Sequence, residues 1–457
     1  MKTPETPAAP DGLRRDLNLA DTTLLVMGGI IGAGIFIAPQ KVAIHQPGVS
    51  GFLLTWAIGG VMAFAGARVF ADLAAMLPLT GGQYVYLREA FGRTASFLFG
   101  WNLLAIVASG ALALIVGVST SNIDLLLGSL AGTPERAVLS PTAAWIGGVA
   151  IIGFFTWVNV HGVRLGASIH NGFMAVKVLG ILFVIALGAA WHFFDLGPSG
   201  LTAPDPGPRA AMLAPALLAA LFSYGGWQNA AAVSGEVRDA GRTLARAILL
   251  GTAGVLALYL ALNLAVVAIL TVDGTARTST PVADAAGRVL GEPGRLIIAG
   301  AVVVSTLGFA HGLLLMTPRV YYAMAHDGVF FRACGKVHRR HGTPHVAILA
   351  QAGFAVAHWS LATFWAKDLD SLLTSMVFVD WIFFALAGGA CLFLRRRKAR
   401  EGPARRTVGG SWTAVVFVLL STGVVVWTVL QVGVKNLTIA AAVLLAGGVV
   451  LLVRRRG

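Results

Sequence analysis

Twelve apolar stretches of about 20 residues run through the chain, at roughly 22–45, 50–76, 94–121, 142–160, 170–192, 210–235, 245–271, 294–325, 345–362, 372–394, 412–432 and 436–453. Each is about the length a helix needs to cross a hydrocarbon core of about 30 Å. In lipid every backbone N–H and C=O must find its partner within the protein, so only helices and closed barrels span a membrane; runs of this length fit helices. With 57% hydrophobic and only 12% charged residues, the chain falls far from the charge content of about 25% usual in soluble domains. It reads as an all-α polytopic membrane protein with twelve transmembrane helices.

The net charge of +14 would suit an acidic partner if it lay on one face of a folded domain. It does not. With the N-terminus inside and the spans alternating, and with Arg246, Lys41 and Arg295 at the span edges counted on the side they adjoin, 23 of the 34 Lys and Arg fall in inner segments and 8 in outer ones, leaving Arg68, Lys177 and Arg319 within spans. That asymmetry is the positive-inside pattern of an inner-membrane protein with both termini cytoplasmic, and no nucleic-acid partner is expected. Residues 1–20 form a cytoplasmic tail without the apolar core and small-residue cleavage site of a signal peptide. Cys334 falls in an inner loop and Cys391 near the inner end of a span, so neither is placed for a disulfide. The outer loops at about 122–141, 193–209 and 272–293 are rich in Gly, Pro, Thr and Ala and are long enough to hold short helices.

Two spans are built against their own helices. The first carries Gly28, Gly29, Gly32 and Gly34 within GGIIGAGIF, each glycine weakening a helix by roughly 1 kcal/mol. The sixth carries Gly225 and Gly226 within LFSYGGWQ. Irregular backbone at membrane depth survives only where it is buried in protein or lines a cavity. The competing explanation is close packing of small residues between helices, but the two stretches lie about 190 residues and five spans apart. Spans so placed run in opposite directions, as in an inverted five-plus-five repeat with discontinuous first and sixth helices and a substrate site at the midplane. The repeat core is expected over 21–394, with a basic loop and the last two helices, 395–457, outside it. The glycines of the first span do not make a nucleotide loop, because the spacing is not GxGxxG and no strand precedes them.

A half-helix starting at Gly32, Ala33 and Gly34 points free N–H groups and a positive dipole end into the cavity, which suits a carboxylate. The preceding half-helix leaves carbonyls of Ile30 and Ile31 open for an ammonium group, as do those of Phe222, Ser223 and Gly225 in the sixth span. Together they match the two charged ends of an amino acid. Lys177, about 10 Å inside the fifth span at 1.5 Å per residue, needs a named partner; first-span carbonyls and the hydroxyls of Ser305 or Thr306 are the candidates, and snorkelling is the alternative. Asp380, well inside the tenth span, is open as a buried acid, an arginine contact or a coupling site. His311 reads as a packed polar residue, and Arg68 with Asp72 as an ion pair one helical turn apart. Glu236, with Arg238, Asp239 and Arg242, is placed to latch an inner gate. No GxSxG, HExxH, carboxylate pair or Cys/His cluster stands out, so neither an enzyme nor a metal or other cofactor is expected.

GGIIGAGIFIAP (Gly28 to Pro39), LPLTGGQYVYLREAFG (Leu77 to Gly92), LFSYGGWQNAAAVSGEVRDAGRTLARAI (Leu221 to Ile248) and GLLLMTPRVYYAMAHDG (Gly312 to Gly328) resemble the amino acid–polyamine–organocation superfamily, most closely its L-type amino acid transporters and their bacterial relatives. The resemblance runs from about Asp21 to Arg397. It implies a LeuT-like, alternating-access carrier that holds the substrate carboxylate at Gly32, Ala33 and Gly34 and its amine at Ile30, Phe222, Ser223 and Gly225, with the Phe222 ring as an outer gate. It also places Lys177 between the first and eighth spans, which implies sodium independence. Two departures stand out: Ala33 replaces a common serine, and Asp380 stands where a neutral polar residue is expected. No outer-loop cysteine is available for the disulfide-linked accessory subunit that animal relatives use. The expected function is exchange of small or neutral L-amino acids, with proton-coupled symport, or an amino acid sensor that does not transport, as alternatives.

Overall fold

The computed structural model describes residues 13, 15–131, 138–364, 369–401, 410–431 and 434–456; most of the expected tail 1–20 and part of the basic loop after 395 lie outside them. Among the described residues ten helices are long and apolar enough to cross a membrane, and the bent pair α1 (Leu19–Ile30) and α2 (Gly34–His45) makes an eleventh crossing. Where the twelfth span is expected, the last helix holds the shorter apolar stretch Ala441–Leu452. The remaining helices are α3 (Val49–Met76), α4 (Gln83–Asn102), α5 (Ala108–Leu130), α6 (Pro141–Val160), α7 (Val163–Phe193), α8 (Leu213–Tyr224), α9 (Ala240–Ala276), α10 (Pro281–Leu290), α11 (Glu292–Met316), α12 (Pro318–His326), α13 (His345–Phe364), α14 (Leu369–Glu401), α15 (Ser411–Gln431) and α16 (Val434–Arg456).

Both expected interruptions are present. An Asn18–Asp21 capping box starts α1, which stops at Ile31; after two residues α2 begins, turned by 43°. In the sixth span α8 ends at Tyr224, Gly225 is extended, and the chain resumes as a 3-10 helix over Asn229–Glu236. The breaks face each other: a side chain at Gly29 would meet the Gly226 carbonyl, and one at Gly34 would meet Ser223. As one number rises the other falls, so the two spans run antiparallel, as a separation of five spans requires.

Gly226 is needed twice over. Its φ of +115° lies where L residues lose about 1–2 kcal/mol, and a Cβ there would collide with the carbonyl of Gly29. Gly226→Ala is therefore expected to lower the melting temperature in detergent by several degrees. Gly225→Ala is the control, because its Cβ would meet only carbonyl oxygens at 3.6 and 3.7 Å and should leave that temperature nearly unchanged.

The third span departs from its expected bounds of 94–121. Gly92 breaks α4 with a φ of +83°, so Gln83–Phe91 is a short lead-in, and a π-helical turn at Leu103–Val107 then joins α4 to α5. Such turns arise where one residue too many is fitted into a helix, often at functional sites. The outer loop at 272–293 holds α10, with proline at its first turn.

At the expected inner face, acids and bases from distant segments pair. Glu236 and Arg319 of α12 form a two-pronged bridge at 2.9 and 3.0 Å, both side chains fully buried. Asp72 carries an ion pair with Arg395 of α14, a partner on another helix in place of the expected neighbour Arg68. Asp327 accepts from both Arg88 and the Tyr84 hydroxyl. The chain before α1 is tied to the same face, Leu17 N–H donating to the Glu236 carbonyl and Arg238 N–H to that of Leu17, each at 3.0 Å. Both cysteines are buried and unbonded.

Candidate functional site

A cavity of about 170 Å³ opens where the two breaks meet. Of the expected site residues, Ile30, Gly32, Ala33, Gly34, Phe222, Ser223, Gly225 and Asp380 line it; Ile31, Lys177 and Ser305 do not. Ala33 caps α2 without any side-chain hydrogen bond to the first turn. That leaves the N-terminal amides at Gly32 to Gly34 facing the cavity with the positive end of the helix behind them.

The carbonyl side of the same break is arranged differently from expectation. Ile30 C=O accepts from the Tyr259 hydroxyl of α9 at 3.2 Å, Ile31 C=O from Lys177 Nζ of α7 at 2.6 Å, and Gly32 C=O from the Ser305 hydroxyl of α11 at 3.4 Å. Three successive orphan carbonyls are thus each met by a different helix. Lys177 is fully buried and reaches inward to the break rather than snorkelling outward. Thr306, the other candidate partner for Lys177, is instead bonded to Ser119 and to carbonyls of its own helix. With Ile31 outside the cavity and its carbonyl engaged, the open carbonyls nearest the α2 amides belong to the end of α8.

Residues from other spans complete the wall. The π turn supplies Leu103 and Val107, α11 supplies Phe309 and Leu313, and α14 supplies Trp381 and Phe384 beside Asp380. Phe309 packs so close to Gly32 that a Cβ there would lie 2.9 Å from its ring. His311, read from sequence as a packed polar residue, holds Asn159 at 3.0 Å and the Gly166 carbonyl at 2.8 Å. Tyr259 and the Glu236–Arg319 bridge were missed by sequence reasoning. An arginine left inside an apolar span, Arg319, which needs a buried acid as partner, is the signal that would have found the bridge.

This architecture has a counterpart in known sequences. The sequence model of the family described as amino acid permease matches residues 17–451. The chain belongs to that family. This permease is 30% identical over 405 residues to the serine/threonine exchanger SteT of Bacillus subtilis, covering 86% of each chain. It is 28% identical over 401 residues to the human b(0,+)-type amino acid transporter 1, covering 86% of this chain and 79% of the relative. Against the human Asc-type amino acid transporter 1 it is 28% identical over 398 residues, covering 86% and 74%. The permease is accordingly a multi-pass membrane transporter and not an enzyme.

Proposed function

We propose that this permease exchanges small or neutral L-amino acids across the inner membrane, without sodium, by alternating access around the paired breaks. The observation that carries the reading is the pairing itself: uncapped amides of α2 and open carbonyls of α8 face one cavity from antiparallel half-helices, a match to a carboxylate and an α-ammonium group. In this reading Gly32, Ala33 and Gly34 hold the carboxylate and Phe222, Ser223 and Gly225 the amine, with Ile30 secondary because Tyr259 already uses its carbonyl. Ile31 serves Lys177 rather than substrate. The names of the relatives, an exchanger of serine and threonine among them, support amino acids as cargo. Residues 21–394 would form the inverted-repeat core, 395–457 would stand outside it, and both termini would be cytoplasmic. The chain would work without a disulfide-linked accessory subunit.

Lys177 supports sodium independence: its Nζ sits on the first-span break, where it takes up a carbonyl that a cation would otherwise bind. Proteoliposomes preloaded with unlabelled amino acid should accelerate uptake of labelled L-serine, with no response to a sodium gradient. Uptake that follows an imposed pH gradient without counter-substrate would replace exchange with symport, and binding without flux would make the protein a sensor. Lys177→Met removes a charged hydrogen bond worth about 1.5–3 kcal/mol and should slow exchange by about ten- to a hundredfold while changing substrate affinity much less. Exchange at the wild-type rate would mean that the lysine has no part in the cycle.

A further inference from the structure

Of the described side chains lining the central cavity, only Asp380 is charged, and no described Lys, Arg or His joins it there. It is half-buried and has no hydrogen bond or ion pair to any described residue, although its helix α14 supplies two aromatic neighbours in the same wall. Trp381 meets Phe384 edge-on at 5.4 Å between ring centroids, and Phe384 stacks on Trp227 at 5.3 Å. Elsewhere the molecule pairs its buried acids: Glu236 has Arg319, and Asp72 has Arg395. A carboxylate left open in a low-dielectric cavity needs a partner brought from outside, and a cation between a carboxylate and aromatic faces gains from both.

We propose that Asp380 is a specificity residue that binds the cationic side-chain group of a substrate, so that the permease takes basic L-amino acids such as lysine and arginine beside neutral ones and rejects acidic ones. The amides at Gly32 to Gly34 and the α8 carbonyls hold the two ends common to all amino acids. The apolar wall of Leu103, Val107 and Ala111 accommodates the methylenes, and Asp380 with the Trp381 and Phe384 rings receives the ammonium or guanidinium group. Anionic side chains would meet a like charge in the same cavity and no compensating cation.

The assignment rests on the amino acid reading above and extends it. The test is competition in proteoliposomes and, independently of flux, in equilibrium binding to purified protein: L-lysine, L-arginine, L-alanine and L-glutamate compete against labelled L-serine. Wild type should be inhibited by lysine and arginine at concentrations comparable to alanine and not by glutamate. Asp380→Asn, nearly equal in size, should raise the half-inhibitory concentration of lysine by about tenfold or more, the loss of one ion pair worth about 1.4 kcal/mol, and by at least about fivefold more than that of alanine, with monodispersity in detergent as the folding control. Asp380→Glu should restore lysine. Lysine no more effective than glutamate on wild type, or unaffected by Asp380→Asn, would overturn the proposal. So would an Asp380→Asn protein that keeps lysine but loses a response to an imposed pH gradient, because the acid would then serve a proton. Absence of counter-substrate acceleration for every amino acid would sink the exchange reading alone, leaving the binding comparison to decide Asp380.

Discussion

Gly34→Val should abolish substrate binding. A Cβ at this position would already lie 3.0 Å from both the Cα and the Oγ of Ser223 on the opposing half-helix, closer than ordinary van der Waals contact. The two methyl groups of valine would have to enter the cavity beside the amides of α2, where a carboxylate is proposed to lie. Binding of labelled serine should fall by about a hundredfold or more, a loss of about 2.7 kcal/mol, and Gly34→Ala should fall between. The readout is equilibrium binding to protein that remains monodisperse in detergent, which separates a filled site from a misfolded chain. Unchanged affinity in the valine variant would move the site away from the break.

Cutting the Glu236–Arg319 bridge should have the largest effect on stability. Both side chains are fully buried and doubly hydrogen-bonded, so Arg319→Met leaves an uncompensated carboxylate in the protein interior at a cost of roughly 3–5 kcal/mol. Glu236→Gln should cost less, because the amide still accepts one of the two bonds. The double variant Glu236→Leu with Arg319→Met removes both charges together and should recover most of the loss, since an apolar replacement of a whole buried pair is often neutral. Melting temperature in detergent reads all three. A single variant as stable as the wild type would show that water already reaches the pair. Recovery in the double variant accompanied by lost exchange would mark the bridge as part of the transport cycle rather than of folding.

Much of the architecture was legible because the relevant information is local. A span shows as a run of apolar residues, and a break shows as glycines at a depth where a broken helix is costly; the antiparallel pairing of the breaks then follows from counting spans. Lys177 was legible for the same reason, since a lysine two turns inside a span has few partners other than an interrupted helix. What sequence could not show depends on chain segments meeting across long intervals. Tyr259 lies 229 residues from the carbonyl it bonds, and nothing near it distinguishes that tyrosine from one packed in a core. Arg395 takes Asp72 from 323 residues away, which overrides the neighbour one turn along the same helix. The Ile31 carbonyl, expected to be open for an ammonium group, is taken by Lys177, because an orphan carbonyl predicts a partner but not which one. The π turn and the early break at Gly92 were missed because neither changes the hydropathy of the span they belong to.

The three carbonyls at the first break are mounted on α9, α7 and α11 through Tyr259, Lys177 and Ser305. A joint fixed at three points to three separate members cannot follow one of them without loading the other two. If α7 shifts against α11, either the break travels with it or one of these bonds opens in a place where water is scarce. The amides proposed to hold the substrate carboxylate are the next residues along the chain, so in that reading cargo and surrounding helices would share a single hinge, and no intermediary would be needed to tell one what the other has done.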